Sequence, residues 1–246
     1  MSKEGGHPGD NPHAEFPISE ATQPEGDAHY DARSRTREVL GSFFSRLGRK
    51  VYLACELPVD YPGEPMFAPD VIAVVDVEPH SRMRWTVSAE GKGVDLALEV
   101  HVAGERRKDL ERNVERYARL GIREYFVFDL GRLRLNGWRL VEGLRAYRPI
   151  LPQRGTYHSD VLDLELQVGE EQLRFYKGGA ALPNAQEVIA RLERLVGQRE
   201  ASCAELQQQL VEEARLRAEE SQRREDAERR LAEALAELER LRGGKH

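Results

Sequence analysis

Between residues 94 and 102 the chain alternates strictly. Val94, Leu96, Leu98, Val100 and Val102 fall on one face of a strand, and Asp95, Ala97, Glu99 and His101 on the other. The period then changes: Leu110, Val114 and Tyr117 recur at i, i+4 and i+7, one apolar stripe of a helix. After Gly121 the run 122–129 reads as a second strand. Strand, helix and strand in this order predict a parallel pair within a mixed sheet. Upstream, Val39, Leu40, Phe43, Phe44 and Leu47 mark a helix over residues 30–47 that Gly48 ends. Residues 51–57 and 70–77 read as strands around a Pro/Gly turn region at 61–68. Residues 79–93 read as a polar loop; its Trp85, like Tyr117 and Tyr125, is expected as a packing residue, and of the three it alone, lying in a loop, is a candidate surface contact. Downstream, 133–140 with 143–148 and 161–168 with 172–176 read as antiparallel pairs, turning at Glu142 and Gly143 and at Gly169 and Glu170.

The two ends of the chain follow other rules. Residues 1–28 are rich in Gly, Pro, His and acids and have almost nothing to bury, so a disordered tail is expected there. His7, His13 and His29 are placed in that tail and given no function. The globular domain is expected over 29–182, and 183–242 as a helical coiled-coil extension. A 4,3 frame runs through Ala185, Ile189, Leu192, Val196, Arg199, Cys203, Leu206 and Leu210. It continues as Glu213, Arg217, Glu220, Arg224, Ala227, Leu231, Ala234, Leu238 and Leu241. Coiled coils bury apolar a and d positions. Two coiled-coil patches joined by a polar helical stretch are therefore expected, with parallel self-association or a protein partner through 185–241; the alternative is a solvated single helix.

Composition narrows the class. The chain has 246 residues, 40% hydrophobic and 33% charged, the charge concentrated in its last third. No apolar run approaches the ~20 residues that span a bilayer, and the N-terminus lacks the apolar core of a secretory signal. Cys55 and Cys203 lie far apart, so a reducing, cytoplasmic home is expected. A net charge of −6 argues against a basic coat for non-specific duplex binding. It leaves room for a local patch: Arg106, Arg107, Lys108, Arg112, Arg116, Arg119 and Arg123 crowd the central helix. Either they contact phosphate, or they form a solvated face balanced by Glu105, Glu111, Glu115 and Glu124. No phosphate-binding glycine loop and no zinc motif is present in the sequence.

Candidate chemistry gathers on two strands. Asp70 follows Pro69 at a strand start, and Glu99 sits mid-strand beside His101 on the polar face. An acid and an imidazole on a strand otherwise buried are costly to desolvate, so such a strand usually borders a site. Two carboxylates from adjacent strands suit Mg²⁺ or Mn²⁺, hard cations that take oxygen ligands, often beside substrate phosphate. Asp70 as a turn-former and Glu99 as a salt-bridge partner are the plainer readings.

Pro69-Asp70-Val71, Asp95-Leu96-Ala97-Leu98-Glu99-Val100, Asp109, Tyr117, Gly121-Ile122 and Glu124-Tyr125-Phe126-Val127-Phe128-Asp129 together resemble a known pattern. It is that of the Uma-two family of restriction-endonuclease-like proteins, a branch of the PD-(D/E)XK nuclease superfamily, over residues 35–180. The resemblance implies an α/β fold: a mixed central sheet flanked by helices, here followed by a long C-terminal helix or coiled coil. It also implies a metal site at Asp70 and Glu99 and hydrolysis of DNA phosphodiester bonds. Where the family carries a helical lysine this chain has Asn113, and where the superfamily has its alternative lysine this chain has His101. Three readings stay open: His101 acts as the base, Arg106 or Arg116 supplies the positive charge, or catalysis is lost. In the last case the fold serves as a binding or assembly module working through its coiled coil.

Overall fold

The computed structural model describes residues 26–102 and 108–243. Most of the expected tail, with Arg106 and Arg107, lies outside them, as do the side chains of Lys108 and Asp109. The described chain divides between Asn184 and Ala185 into two compact units.

The first unit is mixed α/β. Helix α1 spans Asp27–Leu47 and stops at Gly48, whose left-handed backbone (φ 66°) lets its N–H cap the last turn. The strands follow as β1 (Val51–Cys55), β2 (Val59–Asp60), β3 (Val71–Val75), β4 (Trp85–Thr86), β5 (Leu96–His101), β6 (Glu124–Asp129), β7 (Arg134–Leu140) and β8 (Tyr147–Pro149). Between them lie a short helix α2 (Val87–Glu90) and helix α3 (Asn113–Leu120), which a π-helical turn, Lys108–Arg112, leads into. Strands β9 (Thr156–Ser159), β10 (Leu164–Gly169), β11 (Gln172–Lys177) and β12 (Ala180–Ala181) complete the unit.

A six-stranded mixed sheet runs in the order β1-β3-β5-β6-β7-β8. Only β5 and β6 among its pairs are parallel, with Glu99 opposite Val127 and His101 opposite Asp129. The crossover through α3 that the changing period predicts is thus present. Strands β9–β12 form a second, antiparallel sheet in the order β12-β11-β10-β9. Its β10–β11 hairpin turns through Glu170 and Glu171, both at positive φ as such two-residue turns require, one residue beyond the expected place.

Alternation sends each strand's side chains into two cores. Val71, Ala73, Leu96, Leu98, Val100, Phe126 and Phe128 pack with Val39, Leu40 and Phe44 of α1 and with Leu164, Leu166 and Phe175 of the second sheet. On the opposite face Ile72, Val74, Ala97, Tyr125 and Val127 pack with Tyr117 of α3 and with Tyr61 and Trp85.

Two expectations are corrected here, and one candidate surface contact is excluded. Trp85 packs as expected and is no surface contact: it is fully buried, its ring stacks on Tyr52 at 5.3 Å and its Nε1 donates to the Lys92 carbonyl at 2.9 Å. Glu124 is 1% exposed and balances no solvated helix face. Helix α1 begins at Asp27, inside the stretch expected as a tail, and His29 is buried in its first turn.

The second unit is helix α4, Ala185–Gly243. No helix among the described residues is long and apolar enough to cross a membrane.

Candidate functional site

The ladder between β3 and β5 ends at Val71 opposite Leu98. One residue further on, side chains replace the backbone bonds. The Asp70 N–H donates to Glu99 Oε2 at 3.1 Å, and the Val100 N–H donates to Asp70 Oδ2 at 2.7 Å. Each carboxylate therefore holds the backbone of the other's strand where the two strands part. Charge-assisted bonds of this kind are the stronger ones. They fix both acids without help from a cation.

Two further side chains arrive from the helices. Tyr117 lies on α3 with its ring against Tyr125 (4.9 Å) and Phe67 (5.4 Å), and its hydroxyl donates to Glu99 Oε1 at 2.9 Å. Burial first, and the Glu99 carboxylate second, push the Tyr117 phenol well above its ordinary value. It stays a neutral donor at any physiological pH. From α1, His29 Nε2 lies 3.0 Å from Asp70 Oδ2, with the imidazole only 1% exposed and the Asp70 side chain 13% exposed. Sequence reasoning missed His29. It stands 41 positions before Asp70, in a stretch with no apolar periodicity, and only the packing of α1 on the sheet brings it there.

Asp70 and Glu99 are thus brought together. His101 is buried at the end of β5, two residues from Glu99. Asn113 is buried as the first residue of α3, one turn before Tyr117 on the same helix flank. Arg116, a candidate cation, has its guanidinium over the Phe67 ring at 4.4 Å; it bonds the Pro65 carbonyl and lies 3.8 Å from Glu64. Arg119 pairs with Glu64 and Arg123 with Asp95, so these members of the basic cluster are drawn onto neighbouring acids.

Does this set suit a divalent cation? Among the described residues no three His, Cys, Asp or Glu side chains converge as ready ligands. Two carboxylates suffice for Mg²⁺, which keeps several waters and usually takes its remaining ligands from phosphate oxygens. An ionised carboxylate offers about four lone-pair sites, so the bonds already made leave both acids capacity to ligate. The donor set fits.

A model of the Uma2 family, described as "Putative restriction endonuclease", matches residues 9–169. The fold is similar to a crystal structure of "a putative nuclease belonging to DUF820" from Anabaena variabilis ATCC 29413. That likeness has 13% identity and a TM-score of 0.45, over 58% of this chain and 76% of that one. No curated protein matches the chain.

Proposed function

The chain belongs to the Uma2 family of restriction-endonuclease-like proteins, and from that premise we propose that it hydrolyses DNA phosphodiester bonds with a divalent cation held by Asp70 and Glu99. The observation that carries the reading is the reciprocal lock at the parting of β3 and β5. It holds two acids side by side, only partly shielded, where the two strands part.

A Mg²⁺ or Mn²⁺ ion bound there would polarise a phosphoryl oxygen and lower the pKa of a bound water. The chain's own residues orient and hold. Tyr117 and the Asp70 N–H fix the Glu99 carboxylate, while the Val100 N–H fixes that of Asp70, with the His29 imidazole 3.0 Å away. His101, on the strand face of Glu99, is the residue proposed to take a proton from the attacking water. Asn113 offers a neutral amide where the family has a cation, so charge developing at phosphorus is met less well and turnover should be slow.

The test is nicking of supercoiled plasmid in Mg²⁺ or Mn²⁺. Wild type should nick, chelation should stop it, and Asp70→Ala and Glu99→Ala should each lose more than the 10–100-fold that removal of a ligand's supporting contact costs. Asn113→Lys should accelerate it. Nicking that survives both alanine variants sinks the assignment. A wild type that is inert in both metals, and stays inert as Asn113→Lys, favours the assembly-module reading instead.

A further inference from the structure

Helix α4 is one uninterrupted run of 59 residues, and it leaves its apolar residues in solvent. Ile189, Leu192, Val196, Leu206, Leu210, Leu231 and Leu238 are each 54–64% exposed. All seven are members of one 4,3 seam, which calls for a partner helix. The centre of the seam says which partner. Its four successive core positions are Glu213, Arg217, Glu220 and Arg224. Within one helix Arg217 already pairs with Glu213 at 2.6 Å. This block is charged but ordered.

We propose that α4 pairs with a second copy of itself in antiparallel orientation, about a two-fold axis midway between Arg217 and Glu220. A parallel pair, the orientation expected from the heptads alone, stacks each core position on its own copy. That gives four consecutive layers of like charge, Glu on Glu and Arg on Arg. The antiparallel pair sets each a position against a d position instead. Arg217 then meets the partner's Glu220, and Glu213 meets the partner's Arg224, each layer occurring twice by symmetry. Moving outward, Leu210 meets the partner's Ala227, Leu206 the partner's Leu231, and Cys203 the partner's Ala234. Along the overlap opposite charges meet opposite charges and apolar meets apolar, while Ile189 and Leu192 extend past the partner's helix end at Gly243. Only Arg199 faces an apolar residue, the partner's Leu238, and its long stem can lie along leucine while its head reaches water.

The register is as specific as the orientation. Sliding one helix by a heptad in either direction keeps one complementary charge layer and sets the other charged positions against apolar ones. A buried charge without its partner is strongly disfavoured. The charged centre thus acts as a register pin between two apolar ends, the role a polar core residue plays in short coiled coils. Because each globular unit is joined to the start of its own helix, the two helix starts would be roughly 100 Å apart at ~1.5 Å per residue. This inference is independent of the nuclease reading.

Disulfide trapping of the full chain, in a Cys55→Ser background, tests it. The parallel pair puts Cys203 beside its own copy; the antiparallel pair puts it beside position 234. The expected result is a dimer by sedimentation at tens of micromolar, no cross-link through Cys203 alone, and an efficient cross-link once Ala234→Cys is introduced. Glu213→Arg with Glu220→Arg should weaken the dimer at least 10-fold, and mixing it with Arg217→Glu plus Arg224→Glu should restore a heterodimer. A Cys203–Cys203 cross-link, a monomer, a trimer or tetramer, or an all-arginine block that dimerises as tightly as wild type overturns the proposal.

Discussion

Two glutamates lie on the adjacent parallel strands β5 and β6, and the structure gives them opposite fates. Glu99 is partly exposed and accepts two hydrogen bonds. Glu124, opposite Leu96 at the start of β6, is 1% exposed and enclosed by donors. It accepts the Asp160 N–H (2.9 Å), the Val161 N–H (3.4 Å), the Ser159 hydroxyl and the Arg139 guanidinium (2.8 Å), tying the main sheet to the approach into β10. Glu124→Ala strips all of these at once. Arg139 keeps Asp160 and the His158 carbonyl, so it is not stranded. The Ser159 hydroxyl, 0% exposed, and the two backbone N–H groups lose their carboxylate acceptor. Each such buried donor costs about 1–3 kcal/mol, and breaking a buried ion pair from one side costs about 3–5 kcal/mol. These terms overlap, so a loss of about 3–5 kcal/mol is expected. For a domain of this size it lowers Tm by about 2–4 °C per kcal/mol. Glu99→Gln keeps an acceptor for either partner and should stay within about 1 kcal/mol. Both tryptophans, Trp85 and Trp138, lie in the first unit and none in α4, so denaturation followed by tryptophan fluorescence reads this unit alone. A Glu124→Ala loss below about 1 kcal/mol, or a larger loss for Glu99→Gln than for Glu124→Ala, refutes this division of labour.

Further outcomes follow from single contacts. Tyr117→Phe removes the hydroxyl that orients Glu99 and should lower nicking 10–100-fold with the fold intact, as loss of a ligand's supporting bond does; unchanged activity contradicts this. Gly137→Ala would place a Cβ 2.6 Å from the Phe126 ring, which is fully buried, so overpacking should cost about 1–3 kcal/mol by urea titration. A neutral Gly137→Ala would mean that the ring shifts freely. Hydrogen bonds from Arg82 hold the Glu90 carboxyl below its ordinary value. A depressed folded value makes the pair's contribution complete above the unfolded value, about 4.3, and lost as pH falls through the folded one. Arg82→Ala should therefore flatten the stability curve in that acidic window, and a curve parallel to wild type there contradicts the assignment.

What could be read in advance depended on whether local pattern or distant contact decided a residue's place. The β5–α3–β6 unit was legible because periods of two and of 3.6 follow one another without interruption. Glu99 drew notice because a charge on a buried strand needs a reason, and Asp70 because the Pro69-Asp70-Val71 run resembles the family pattern. The geometry that makes them a pair was not legible: it depends on the β3–β5 register ending one residue short of both acids. His29 and Glu124 lay beyond local reading for a shared reason. Each is buried by an element far away in sequence: His29 by Asp70, and Glu124 by the segment 159–161. Strands β9 and β12 are short and carry little apolar alternation, so the second sheet was seen only as its β10–β11 hairpin.

The central claim is that Asp70 and Glu99 hold one cation between them, and equilibrium binding of Mn²⁺ followed by electron paramagnetic resonance tests it without relying on turnover. The account predicts one Mn²⁺ per chain, displaced by excess Mg²⁺ and lost in both Asp70→Asn and Glu99→Gln while each variant keeps the wild-type unfolding midpoint within a few degrees. Binding that persists unchanged in both variants, or a wild type that binds no Mn²⁺ even with a DNA duplex present, contradicts it.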